Sequence, residues 1–538
     1  MSQDMREHLQ KAALDFDYLS ADVYVFSGVV GSGKTFSCLV AGHMVKITYG
    51  MIGRILYFSP LNAPGIQTAM EYQRILPKPY ENKYEIVGEH FHDTNYFAKG
   101  LETGADHEGL RMMNSLWDTP YLISSYEQFF MTIGGCCTRP LRKYHAMLGS
   151  VMIFDEYQTL PSHLCDELDS WMSFATRKLG CKFVLASGTP SCYWDNRRVC
   201  RDHGVRFKIV SEGLDQEMAE VEKNRVHMVN LGAISTKDFV SRVKEDAVSK
   251  GCTLAVNTTT VTSAYLSRKV MNELGPSGVV HVSRGLTKKD IRRAMEEITA
   301  RLANPGAYGP WAAMATSIME AGVNFSFPSA FGEYSRYCSG IQLTGRSNRH
   351  NEIPGGGWVY LFELNSESGL ERLITTNPAM ETSRRVLREM LEENLMGYQY
   401  CQEAFDREWK QDKALLKTAR SEIDRASHEM DFRFLADAMH AVSKDDEGRT
   451  ELALFVRSQA LDVWEKIRLG EEIVHPHEIA MNTITMHPGR FKKLKTYTSE
   501  IKEGDLKKVT KYNRNFVGML VWEGPYEPDF IGYLSVLL

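Results

Sequence analysis

Gly28-Val29-Val30-Gly31-Ser32-Gly33-Lys34-Thr35 is the stretch on which the reading of this chain turns. It fits the pattern G-x-x-x-x-G-K-[ST] and stands between an apolar run, Val23-Tyr24-Val25-Phe26, and a helical pattern from Phe36 to Ile47. A strand before and a helix after is the setting in which such a loop binds phosphate. Gly28, Gly31 and Gly33 let backbone N–H groups, with that of Ser32 among them, converge on phosphate oxygens. The helix amino terminus behind them adds positive potential. Lys34 is placed to neutralise β- and γ-phosphates, and the Thr35 hydroxyl to ligate Mg²⁺. A merely structural glycine turn is the competing reading, and the flanking strand and helix weigh against it.

Downstream segments are spaced to complete such a site. Val151-Met152-Ile153-Phe154 is a buried strand that ends in Asp155-Glu156-Tyr157-Gln158. An acid at a strand end can hold the Mg²⁺ that Thr35 touches, and the next acid can polarise an attacking water. Alone, the pair reads equally as a helix cap. Ser187-Gly188-Thr189-Pro190 follows the next strand and carries small hydroxyls that can link a nucleotide site to a bound strand, although Gly-Thr-Pro is also turn chemistry. Gln342, Gly345, Arg346 and Arg349 form Q-x-x-G-R-x-x-R. Arginine's planar fork suits transition-state phosphate charge; a solvated basic helix face is the alternative. Thr316 ends a strand shortly before Gly322, a pattern able to contact both a DNA backbone and the nucleotide. Ser59-Pro60, Ser124-Ser125 and Asn257-Thr258 also end strands, and such ends suit phosphate contacts. Each is an ordinary cap by itself; the series carries the weight.

The apolar runs Arg54–Ser59, Tyr121–Ser124, Val151–Phe154 and Lys182–Ser187 alternate with helical stretches, which predicts a mostly parallel sheet. A second α/β unit reads from Thr253–Val256 through the helix Val261–Leu274, Val279–Val282, the helix Lys288–Leu302, Trp311–Thr316 and Trp358–Phe362. The boundary is placed near residue 225, after the acidic stretch Glu212–Glu222. The expected organisation is residues 1–225, 226–370, a helical region 371–470 and a small module 471–538 that holds the basic stretch Arg490–Arg514. The 538 residues are 43% hydrophobic and 24% charged, with a net charge of −5, so composition predicts a soluble globular protein and gives no sign of a wholly basic nucleic-acid binder. Ten scattered cysteines without a C-x-x-C pair predict reduced thiols and a cytoplasmic setting. No run of about 18 apolar residues predicts a membrane span. The amino terminus lacks the apolar core of a signal peptide.

The ordered series resembles superfamily 2 helicases across residues 20–365. That resemblance implies two tandem RecA-like domains with ATP and Mg²⁺ at their interface: Lys34 and Thr35 on nucleotide and metal, Asp155 and Glu156 in hydrolysis, Gln342, Arg346 and Arg349 sensing the γ-phosphate. The chain departs in reading Ser-Gly-Thr where Ser-Ala-Thr is usual, and Gln158 where many relatives end in Asp or His. More narrowly, Asn257-Thr258-Thr259-Thr260, His281-Val282-Ser283-Arg284-Gly285-Leu286-Thr287, Glu320–Phe325 and the G-R-x-N-R-H segment ending at His350 resemble the CRISPR-associated type I interference helicase. This implies single-stranded DNA displaced in an R-loop as substrate, an RNA-guided surveillance complex as partner, and 3′ to 5′ movement. The histidine–aspartate nuclease of that family is expected on a separate subunit, because too few residues precede Gly28 to hold it. His90, His92, Asp93 and His107 form the one His-rich patch, read as a polar insertion more readily than as a metal site. A restriction-system DNA translocase, a viral RNA helicase and a non-catalytic scaffold remain as alternatives.

Overall fold

A computed structural model describes residues 3–29, 31–60, 62–75, 83–91, 104–135, 138–160, 162–189, 204–319, 324–365, 378–431, 434, 435, 438, 452–471, 474, 476–528 and 530–537. Its first sheet contains β1 (Val23–Ser27), β2 (Ile55–Ser59), β3 (Val87–His90), β4 (Tyr121–Ser125), β5 (Val151–Asp155), β6 (Lys182–Ser187) and β7 (Phe207–Ile209), in the spatial order β3-β4-β2-β5-β6-β1-β7. Every pairing is parallel. The central strands are buried along their whole length and mostly apolar because both faces are covered, as a parallel sheet flanked by helices requires. The helix Lys34–Tyr49 lies on one face and approaches closely at Gly42, where an added Cβ would sit 3.3 Å from Ile153 Cδ1.

The second sheet repeats the plan with β8 (Val226–Ile234), β9 (Cys252–Asn257), β10 (Val279–Val282), β11 (Trp311–Thr316), β12 (Ser329–Glu333) and β13 (Gly357–Leu364), in the order β10-β11-β9-β12-β13-β8, again all parallel. Its helices begin at side-chain caps: Thr259 accepts from Thr262 N (3.0 Å) and Thr287 from Asp290 N (3.2 Å). Two tandem parallel α/β sheets are the expected RecA-like pair. Strands β3, β7, β8 and β12 are additions to the sequence reading.

The helices Pro378–Glu392 and Cys401–His428 follow. Arg384 on the first donates to Thr258 Oγ1 (3.0 Å) in the second sheet's unit, while Phe405 and Trp409 on the second pack against the first sheet's core. This helical pair therefore bears on both units. Four short strands, β14 (Leu452–Val456), β15 (Thr483–Met486), β16 (Thr498–Glu500) and β17 (Leu520–Trp522), form a last mixed sheet in the order β15-β14-β17-β16. β14 falls within the span read as helical. The carboxy-terminal segment is fastened to the second unit: the Tyr526 hydroxyl accepts from Thr287 N (2.7 Å) and donates to Asp290 (2.6 Å). Arg490 donates to Thr260 Oγ1 (3.0 Å) and to the Tyr533 hydroxyl (2.8 Å). One end of the basic stretch is thus a structural anchor.

A candidate nucleotide cleft at the strand ends

In parallel sheets, ligands gather beyond the carboxyl ends of the strands, where the chain order switches direction. β1 is such a point, with β6 on one side and β7 on the other. The loop leaving β1 carries Gly31 and Gly33 in the left-handed region, both with φ +86°. L side chains rarely adopt that conformation, and it opens the helix Lys34–Tyr49 at Gly33. Gly28 N–H donates to Ser187 O (3.1 Å), which ties the loop to β6. Ser32 is fully buried and its hydroxyl has no hydrogen-bond partner among the described residues. Lys34 is 8% exposed and donates to Gly28 O (2.8 Å) and Val29 O (3.3 Å), folded over its own loop. Thr35 is half-buried, and its carbonyl accepts from the Tyr72 hydroxyl (3.2 Å).

β6 lies between β1 and β5, and this order wires the acid pair to the loop. Asp155, at the end of β5, accepts from the Tyr57 hydroxyl and from Glu156 N (3.0 Å). Burial, and then the Glu156 charge, push its carboxyl up; the Tyr57 bond and the Lys34 charge oppose them. Glu156 has φ +55°, a strained backbone for a residue with a Cβ, and such strain gathers at functional sites. Its carboxylate accepts from Gln158 Nε2 (2.6 Å) and from Gly188 N (3.4 Å), and the Gln158 carbonyl accepts from the Ser187 hydroxyl. Gln158, named in the sequence only as a departure, is thus the joint between the acid pair and the Ser-Gly-Thr turn. No spacing signal pointed to it.

The arginine segment follows the helix Tyr337–Thr344. Arg346 is 4% exposed and donates Nε–H to Met319 O (3.0 Å); Arg349 is half-buried, with NH1 on Gly345 O (3.4 Å) and its backbone N–H on Ser326 Oγ (3.0 Å). Gln342 is half-buried beside them. The loop itself is gripped by Arg225, a residue the sequence reading used only to mark the boundary of the first unit. Arg225 is 1% exposed, pairs with Glu222 (2.7 Å), and donates to Thr344 O (3.0 Å), Ser347 O (2.6 Å) and Asn348 O (3.2 Å). Burial depresses the Arg349 guanidinium to about 10, and the charges of Arg225 and Arg6 add to the effect. Arg6, on the helix Gln3–Asp15, donates Nε–H to Gly31 O (3.3 Å). One side chain therefore adjoins the phosphate loop and lies within electrostatic reach of the arginine segment.

Ser59, Ser124, Ser187, Thr189, Asn257 and Thr316 are buried, while Pro60 and Thr258 are half-buried. The Ser124 hydroxyl donates to His90 O (2.7 Å); Thr258 N donates to Glu333 (2.9 Å). Gly322 lies outside the described residues, as do His92 and Asp93, and only the backbone of His107 is described. His90 takes the Trp117 indole N–H (3.0 Å). Among the described residues no group of three His, Cys, Asp or Glu side chains could hold a metal, six cysteines are free thiols, and no helix is long and apolar enough to cross a membrane.

Tandem parallel sheets, with the Gly28–Thr35 loop leaving one and the Arg346–Arg349 segment on the other, give this chain a fold resembling that of superfamily 2 helicases. The particular resemblance is to Cas3. The structure of T. fusca Cas3 with AMPPNP superposes with a TM-score of 0.66 over 97% of this chain at 13% identity, and T. fusca Cas3 with ATP gives 0.64 over 98% at 13%. A chain of a CRISPR RNA-guided surveillance complex in a pre-nicking state gives 0.58 over 98% at 12%. At these identities the likeness is one of fold. The chain spans 67%, 70% and 69% of the three matched chains, respectively. No family model matches the sequence, and no curated protein matches it.

Proposed function

We propose that the protein is an ATP-dependent helicase or translocase acting on single-stranded DNA, 3′ to 5′, in type I CRISPR interference, and that it works beside an RNA-guided surveillance complex and a separately encoded nuclease. The observation that carries the reading is the pairing of a phosphate loop on one parallel sheet with an arginine segment on the next, with Arg6 adjoining the first and electrostatically coupled to the second. Lys34 and the loop N–H groups hold the phosphates, and Arg346 and Arg349 meet them from the other unit. Bound triphosphate favours closure, because it contacts both walls; loss of the γ-phosphate loosens them. Glu156 orients and deprotonates the attacking water, with Gln158 fixing its carboxylate.

Magnesium fits the donor set: Thr35 and Asp155 offer the oxygen ligands that the ion prefers. The ion would neutralise phosphate charge. Gly322 and Gln342 complete the nucleotide side of the assignment. The strand path is assigned to the ends of β2, β4, β6, β9 and β11, namely Ser59, Pro60, Ser124, Ser187, Thr189, Asn257, Thr258 and Thr316. Where those side chains are buried, the contacts fall to backbone groups. Binding of this kind is sequence-independent and weakens with salt.

The test compares ATP hydrolysis alone and with single-stranded DNA, duplex DNA and RNA. Strongest stimulation by single-stranded DNA is expected. Stimulation by RNA or duplex alone would transfer the protein to the viral helicase or restriction translocase reading, and none by any polynucleotide would defeat the motor assignment.

A further inference from the structure

The helix Gln3–Asp15 lies against the phosphate-loop unit in a way the motif does not require. Leu9 is fully buried, and its Cδ2 lies 3.3 Å from where a Cβ on Gly28 would stand. This fixes the helix over the loop and carries Arg6, one turn earlier, to the loop's tip. There Arg6 Nε–H donates to Gly31 O at 3.3 Å, and Arg6 Cγ lies 3.7 Å from the position of a Cβ on Gly33. The side chain is exposed, and its terminal nitrogens make no hydrogen bond among the described residues. Its charge reaches both Arg349 and His350 and disfavours the cationic form of each.

Like charges held together across a cleft oppose closure unless an anion enters between them. Arg349 stays charged at any physiological pH, so its depressed value registers surroundings hostile to a cation, which a polyanion would offset. We propose that Arg6 is a third guanidinium of the nucleotide site and contacts the terminal phosphate of a nucleoside triphosphate from the amino-terminal helix. This rests on the nucleotide reading of the cleft. The same contact would draw that helix into the ATP cycle, because the diphosphate offers no terminal group at that point.

The experiment measures equilibrium affinity of the full chain for fluorescent ADP and for a fluorescent non-hydrolysable ATP analogue, in the wild type and in Arg6→Ala, Arg6→Lys, Lys11→Ala and Lys34→Ala. Lys11 is exposed on the same helix and controls for a simple loss of charge. Arg6→Ala is expected to weaken the triphosphate analogue by about tenfold or more, the scale of one charge-assisted hydrogen bond, with ADP changed by less than about threefold. Arg6→Lys should fall between, and Lys11→Ala should match the wild type. Triphosphate affinity unchanged in Arg6→Ala while Lys34→Ala abolishes binding overturns the role of Arg6 alone. Equal losses for ADP and ATP overturn the terminal-phosphate contact. A wild type that binds neither nucleotide overturns the cleft reading itself.

Discussion

Arg225→Met should separate the stability of the second unit from the geometry of its arginine segment. Arg225 is 1% exposed and satisfies both carboxylate oxygens of Glu222, itself 6% exposed. Removing the guanidinium leaves a buried carboxylate without its cation and with only the Thr344 hydroxyl as donor, which costs about 3–5 kcal/mol, and removes the donor shared by Thr344 O, Ser347 O and Asn348 O. A unit of this size shifts by about 2–4 °C per kcal/mol, so thermal melting should show the relevant transition lowered by roughly 10 °C. Glu222→Leu should cost less, because Arg225 keeps its three carbonyl acceptors. The double variant Glu222→Leu/Arg225→Met should recover most of the lost stability, since replacing a buried pair by apolar groups is often nearly neutral. It should not recover ATP hydrolysis, because the loop bearing Arg346 and Arg349 is no longer gripped. A single variant melting within about 2 °C of the wild type would refute the reasoning. So would a double variant whose loss equals the sum of the two singles.

Lys34→Ala should abolish nucleotide binding measured by fluorescence titration; retained affinity would remove the phosphate loop from the site. Glu156→Gln should bind nucleotide normally yet hydrolyse it more than about a hundredfold more slowly, read by single-turnover assay, as loss of a general base does. His281 is buried between the Ser267 hydroxyl (2.8 Å) and the Ser283 hydroxyl (2.7 Å), and burial depresses it to about 3 from 6.5. It is neutral in the fold, so acid protonates the unfolded chain first. Its contribution is complete above pH 6.5 and is lost as pH falls towards 3, about 2 kcal/mol by pH 5. Urea unfolding across that window should show a shallower loss in His281→Gln; parallel losses would contradict this.

Local pattern revealed the strands with an unbroken apolar centre, such as Val151–Phe154 and Lys182–Ser187. It missed β3 and β7, with four and three residues, and β12, Ser329–Glu333, which mixes small and polar residues. β8, Val226–Ile234, escaped because it is an edge strand with both faces partly exposed. The short strands of the last sheet escaped for want of length, and β14 was absorbed into a charged helical span.

By itself the sequence singled out the Gly28–Thr35 loop, the acid pair and the arginine segment as candidates, because each is a contiguous pattern with its own backbone demand, and the structure places Gly31 and Gly33 at positive φ and Asp155 at a strand end. Tertiary structure alone decided what holds them. β6 had to fall between β1 and β5 before Ser187 could meet Gln158 and Gln158 could meet Glu156. Arg225 had to be buried under the loop it grips, and Arg6 had to arrive above Gly31 from a helix 25 residues earlier. Such contacts join residues far apart in the chain, and no local periodicity encodes them.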